Sequence, residues 1–215
     1  MIVRTGYASW QASRNEPAAG MRAGIVGMAE QYGWRLSPPP AVVNRETVRP
    51  ERPVILAIDP GSSESGWALL RGETVLESGK DDNTAVLAML REMLSAGHIA
   101  ALVLERFSGY GLRRLGESSI ETILWTGRYW QVAEGRVPVE WVRRQTVKAH
   151  LCGRANASDA DVISALVDRY GGIGGRPAAV GTLACPGPLH GVRRDAWQAL
   201  AAGLTHQDTL TEETR

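Results

Sequence analysis

The chain has 215 residues, 44% hydrophobic and 22% charged. Those proportions exclude a fibrous or wholly disordered protein and allow one domain with an appendage. Its 24 basic and 23 acidic residues give a formal net charge of +1, so a uniformly basic nucleic-acid coat is excluded and any polyanion site is a local patch. No apolar run reaches the ~18 residues of a membrane span, and residues 1–20 lack the apolar stretch of a secretory signal. Cys152 and Cys185 stand alone, outside any disulfide or zinc spacing. The expectation is a cytoplasmic protein with no membrane partner.

Residues 1–52 carry Pro17, Pro38, Pro39, Pro40 and Pro50, one expected helix over 18–34, and seven arginines against four glutamates. They read as an accessory arm, partly helical or loosely ordered, with Met21 or Met28 as alternative starts. From residue 53 the pattern becomes regular. Residues 54–58 are a short apolar run ended by Asp59-Pro60-Gly61, the pattern of a strand buried on both faces. Strands over 66–70 and 74–76 follow, and the turns at 62–65 and Arg71-Gly72 make the three an antiparallel meander. Asn83 is placed to cap a helix ending near residue 95, with Val86, Leu87, Leu90 and Leu94 on one face.

Residues 100–104 repeat the apolar run and end at Glu105. A helix over 118–134 has Ile120, Ile123, Leu124 and Trp130 as its apolar side, and 137–142 is a fifth strand. Ser158 caps a helix carrying Val162, Ala165, Leu166 and Tyr170. The breaker-rich stretch 171–191 is expected as a functional or mobile loop, and a last helix covers 195–206 ahead of a polar tail, 207–215. This order predicts an α/β sandwich around a mixed five-stranded sheet over 53–206.

Three carboxylates occupy unusual places. Asp59 ends the first core strand, Glu105 ends the fourth, and Asp195 opens the last helix beside Trp197, Leu200 and Leu204. If strands one and four are neighbours, Asp59 and Glu105 meet at one edge, and a helix packed across it adds Asp195. Three such groups repel unless cations sit between them. Their hard oxygens suit magnesium or manganese, and two ions about 3.5–4 Å apart can activate water against a phosphodiester. The plainer alternatives stay open: an Asp before Pro-Gly shapes turns, and an Asp at a helix start is a cap. Glu105 fits neither, because a carboxylate closing a buried run needs a partner.

Four segments carry a resemblance: Ile55-Leu56-Ala57-Ile58-Asp59-Pro60-Gly61-Ser62 with Ser65-Gly66; Ala101-Leu102-Val103-Leu104-Glu105; Thr146-Val147-Lys148-Ala149 with Gly153, Ala157 and Val162; and Asp195-Ala196-Trp197-Gln198-Ala199-Leu200-Ala201 through Thr205-His206. In that order, over 53–206, they resemble the RuvC-type Holliday junction resolvases of the ribonuclease H-like superfamily. The arm has no counterpart there. The resemblance implies a ribonuclease H-like fold, three antiparallel strands and then parallel ones, flanked by helices. It further implies a crossover junction endodeoxyribonuclease with Asp59, Glu105 and Asp195 as catalytic and metal-binding residues. Two Mg2+ ions per site are implied, with Mn2+ able to substitute. A homodimer would resolve four-way DNA junctions by paired nicks, leaving 5′-phosphates and 3′-hydroxyls, in a bacterial or phage-infected cytoplasm. The chain departs from the family at Gln198, where a second acidic residue is usual, and at Asp159, where a DNA-facing lysine is. Gln198 or His190 is the alternative for a further metal ligand.

Residues 108–156 hold eight basic and four acidic residues, whereas the rest of the chain holds 16 and 19. Positive charge is thus concentrated near the acidic site, as phosphate binding needs. Phe107, Tyr110, Arg113 and Arg114 interleave aromatics with cations just beyond Glu105, a composition suited to unpaired bases at a branch point. Arg144, Lys148 and Arg154 extend the expected DNA surface, and the aromatic-rich 118–134 helix is a candidate dimer seam as well as a core element. Two readings compete with a junction resolvase: a less selective flap or branched-DNA nuclease, and a non-catalytic junction-binding protein, the latter suggested by Gln198. An ATP-dependent actin-like or sugar-kinase-like protein is excluded, since that fold needs two such lobes, and no Gly-x-x-x-x-Gly-Lys-Ser/Thr loop occurs. No nucleotide cofactor is expected.

Overall fold

The computed structural model describes residues 52–106 and 116–213. The arm up to residue 51, with its expected helix, and the segment holding Phe107, Tyr110, Arg113 and Arg114 lie outside the described residues. In β1 (Val54–Asp59) the residues Ile55 to Ile58 are all buried, because the strand is central and covered on both faces. β2 (Glu64–Arg71) and β3 (Thr74–Asp82) complete the antiparallel meander, turning at Gly72, whose φ of 57° is left-handed. β3 runs well past the expected 74–76. It is an edge strand of mostly polar residues, so ladder pairing rather than apolar alternation sustains it.

α1 (Asn83–Ser95) crosses to β4 (Ala101–Arg106), parallel to β1, and α2 (Glu117–Ala133) crosses to β5 (Val139–Arg143), parallel to β4. The sheet order is β3-β2-β1-β4-β5, the mixed five-stranded sheet expected. α3 (Arg144–Cys152), α4 (Asp159–Gly171), α5 (Gly175–Val180) and α6 (Ala196–Glu213) complete the domain. No helix among the described residues is long and apolar enough to cross a membrane.

Three helical features differ from expectation. α3 was not anticipated: it follows β5 directly, lacks a side-chain cap, and buries only Val147. Residues 172–180 are not loop but a 3-10 turn (Gly172–Gly174) and α5, with Ala179 buried. There Gly172 and Gly175 take left-handed φ values and break helical continuity, so the stretch carries no amphipathic period. α6 continues to Glu213, through residues expected as a tail. Asp208 fastens this extension: it accepts two hydrogen bonds from Arg169 of α4 at 2.6 and 2.9 Å and pairs with His150 of α3 at 2.8 Å. Arg169 also reaches Glu73 in the β2–β3 turn at 2.9 Å. α4 starts as expected, with Ser158 and Asp161 exchanging side-chain-to-backbone bonds in a capping box.

The sheet separates two apolar layers. On one face Ile55, Ala57, Ala68, Leu70, Val103 and Val142 pack against α3, α4, α5 and α6. On the other, Leu56, Ile58, Trp67, Leu102 and Leu104 pack against α1 and α2. α2 does not bury its most apolar side. Thr126, Tyr129 and Ala133 face the core, while Ile120, Ile123, Leu124 and Trp130 are exposed along one stripe. The reason lies at Tyr129, which is fully buried because its hydroxyl has partners.

Those partners join three elements behind the Asp59-Pro60-Gly61 turn. Ser65 Oγ donates to Asn83 Oδ1 at 2.5 Å and accepts from the Gly61 amide at 3.3 Å. Asn83 Nδ2 donates to the Gly61 carbonyl at 3.0 Å, and the Tyr129 hydroxyl lies 3.1 Å from both Ser65 Oγ and Asn83 Oδ1. Asn83 therefore opens α1 without capping it; the N-cap position is Asp82 and makes no side-chain bond. Burial pushes the Tyr129 phenol up to about 12, so it keeps its proton and serves as a donor. Asn83→Ala leaves two buried hydroxyls and the Gly61 carbonyl short of partners. It should cost roughly 2–4 kcal/mol, at about 1–3 kcal/mol for each orphaned group, read as a lower urea midpoint with unchanged slope.

Candidate active site

Strand register sets the site. Ile58 pairs with Leu104, so Asp59 and Glu105 are the next residues on adjacent parallel strands, with backbones about 4.8 Å apart. Asp59 pairs with Gly66, and Gly66 with Lys80. A single row therefore crosses β3, β2, β1 and β4 as Lys80, Gly66, Asp59 and Glu105. Cross-strand partners share a face, and alternation places this row on the face covered by α6.

Gly66 leaves the gap that admits the third carboxylate. A Cβ there would stand 2.4 Å from the Asp195 carbonyl carbon and oxygen, so the backbone entering α6 rests directly on β2. Arg194, at φ 50°, is the one non-glycine residue with a left-handed backbone among the described residues, and it turns the chain into this position. Asp195 then accepts the first helical bonds of α6 through its carbonyl, from the amides of Gln198 and Ala199 at 3.0 and 3.2 Å. Asp59, Glu105 and Asp195 are thus brought to one edge, as their order in the sequence suggested. Asp59 senses both of the others as like charges.

The charge balance is unfavourable to ionisation. Burial, and next the Glu105 charge, push the Asp59 carboxyl well above its ordinary range, while Arg144 opposes the shift. Burial likewise raises Glu105, against the pull of the Arg144 guanidinium 3.0 Å from its Oε1. Arg144 is shared with Asp159 at 2.7 Å, which also holds Lys148 at 3.1 Å. Although burial opposes it, these two cations keep Asp159 below the usual carboxylate range. At the other end of the row the Lys80 ammonium lies 3.0 Å from Asp195 and 2.9 Å from Glu64, and the two carboxylates raise its pKa. Among the described residues no three His, Cys, Asp or Glu side chains stand close enough together to hold a metal ion. Arg144 and Lys80 draw the two flanking carboxylates outward.

The remaining site candidates fall as follows. Gln198 is buried one turn after Asp195. His190 is exposed, its Nδ1 3.2 Å from the Val180 carbonyl. Arg154, largely exposed, pairs with Asp161 at 2.9 Å. Lys80 was missed from sequence because β3 was ended at Leu76; counting back from the Arg71-Gly72 turn would have set it opposite Gly66. An apolar cavity of about 420 Å³, lined by Pro53, Ile55 and Leu210, lies toward the opposite end of β1 and takes no part in the row.

Replacing Asp59 by Asn removes a half-buried charge that its neighbours repel, and should stabilise the fold. Below about pH 4 the carboxyl is protonated in folded and unfolded chains alike, and the variant gains nothing. As pH climbs through the raised folded value the wild type loses stability, so at pH 7 the variant should be more stable by on the order of 1 kcal/mol. Thermal unfolding at pH 4 and pH 7 measures this; equal midpoints at both would contradict the repulsion.

No family model matches the chain, and no curated protein matches it. Solved structures do. RuvC from Thermus thermophilus is 21% identical, with a TM-score of 0.54 over 75% of this chain and 97% of that one. The same protein in complex with a Holliday junction substrate gives a TM-score of 0.53 over the same shares, also at 21% identity. The yeast mitochondrial Holliday junction resolvase Ydc2 is 13% identical, with a TM-score of 0.48 over 90% of this chain and 95% of that one. At the identity of the first two, the likeness establishes the architecture: the chain has the ribonuclease H-like fold of RuvC.

Proposed function

We propose that the chain is a divalent-metal-dependent endonuclease for branched DNA, with the four-way junction as substrate and Asp59, Glu105 and Asp195 as its catalytic carboxylates. The observation that carries this reading is the row of acids at one sheet edge, two on adjacent parallel strands and a third admitted by Gly66. The donor set fits a divalent ion. Its ligands are hard oxygens, and a dication relieves the repulsion that burial imposes on Asp59 and Glu105. Magnesium or manganese bound there supplies charge for phosphoryl oxygens and a more acidic water. One water then adds across a P–O3′ bond: its oxygen bonds phosphorus, and O3′ leaves as a hydroxyl carrying a proton from that water.

The substrate assignment draws on the fold shared with RuvC, which has been solved with a Holliday junction. Arg144, Lys148 and Arg154 flank the row and exchange their carboxylate partners for phosphates in this reading. Phe107, Tyr110, Arg113 and Arg114, which follow the strand ending beside Glu105, are assigned to the branch point. The exposed stripe of Ile120, Ile123, Leu124 and Trp130 on α2 is assigned to a two-fold seam between copies, which would present two sites to opposed strands. A non-catalytic junction-binding protein is the second reading, favoured by the uncharged Gln198 and by the outward-drawn carboxylates.

Cleavage of a synthetic four-way junction, a flap, a nicked duplex and linear duplex, with magnesium, manganese or EDTA, tests these readings. The junction should be nicked in pairs with either metal and not in EDTA. Asp59→Asn, Glu105→Gln and Asp195→Asn should each lower nicking by at least about 100-fold while junction binding persists, since each removes charge that acts on the reaction. Tight binding without any nicking would select the scaffold reading; equal cutting of flap and junction would select the less selective nuclease. Leu124→Glu should halve the mass found by analytical ultracentrifugation and unpair the two nicks, and a wild type that is monomeric at micromolar concentration would refute the seam.

A further inference from the structure

Resting on the nuclease reading above, we propose that Lys80 supplies from within the chain the positive charge that a second divalent ion would bring, so that the site is completed by one ion at Asp59 and Glu105. Lys80 is not a neighbouring surface cation. It occupies the same cross-strand row as the two buried carboxylates, two strands from Asp59, on the same face. Only Gly66 intervenes, and over Gly66 lies Asp195. The Lys80 ammonium binds Asp195 at 3.0 Å and is braced by Glu64 at 2.9 Å, with the lysine side chain 22% exposed.

The charge count points the same way. The linked groups are five carboxylates, Glu64, Asp195, Asp59, Glu105 and Asp159, and three cations, Lys80, Arg144 and Lys148. Their net charge of −2 is balanced by one divalent ion; a second would leave the half-buried row at +2 before any phosphate arrives. One turn along α6, where another carboxylate could have restored balance, the buried side chain is the neutral Gln198. An ammonium is a compact charge with three donors, so Lys80 can keep Asp195 and still offer a proton donor to a phosphate oxygen. In the hydrolysis step it needs only to stabilise negative charge as the P–O3′ bond breaks; no proton leaves it.

Manganese titration of the full-length protein, followed by calorimetry and by electron paramagnetic resonance of free Mn2+, reads the number of ions directly. One ion per wild-type chain is expected, lost in Glu105→Gln, and two per chain in the Lys80→Ser/Gln198→Asp double variant. Two ions per wild-type chain would overturn the inference while leaving the nuclease reading intact. No manganese bound by the wild type would overturn both. Nicking of a four-way junction supplies the second measurement: Lys80→Met should lose at least 100-fold, and Lys80→Arg, which keeps the charge, should lose far less. Equal rates for Lys80→Met and wild type would overturn the role of the ammonium.

Discussion

Two carboxylates sit side by side because two strands run parallel. β1 and β4 share a register that ends with Ile58 beside Leu104, and the next step along each strand is an acid. Neither acid can turn away, since alternation commits both to the α6 face. The other features of this edge answer the resulting repulsion. Arg144 bonds one end of the row and Lys80 the other, and the burial that a parallel sheet requires raises both carboxyls. Behind the row, Ser65, Asn83 and Tyr129 lock the turn that follows Asp59, so the strain is carried by a fixed backbone.

Much of this was written in the sequence. The apolar runs ending in Asp59 and Glu105 are legible because a strand covered on both faces has no polar alternation, so an acid at its end stands out. Asp195 was legible by its place before an apolar helix. What escaped is instructive in physical terms. Edge strand β3 is polar, so its length, and with it Lys80, depends on backbone pairing that composition does not encode. α3 begins with no capping side chain, and α5 begins at a glycine within a stretch of breakers, so neither announces itself locally. The face of α2 was misread because apolar periodicity identifies the greasiest stripe, whereas the core took the face that brings a tyrosine hydroxyl to Ser65 and Asn83.

Electrostatics also separates this chain from a simple acidic site. Each cation near the row already has a carboxylate partner: Arg144 has Glu105 and Asp159, Lys148 has Asp159, and Arg154 has Asp161. The local excess of positive charge over 108–156 is thus partly cancelled in space by acids from outside that segment. Sequence counting sees a basic patch; the folded surface is a lattice of ion pairs.

That lattice has a consequence for any polyanion arriving there. A guanidinium or ammonium already neutralised by Asp159 or Asp161 condenses few mobile ions of its own, and a phosphate that takes its place must displace a tethered carboxylate. Association becomes an exchange of partners within the protein as well as a release of counterions from the polymer. Affinity set this way weakens less with rising ionic strength than a tally of the basic residues would suggest, and it gives Asp159 the part of an internal competitor for the backbone of the nucleic acid.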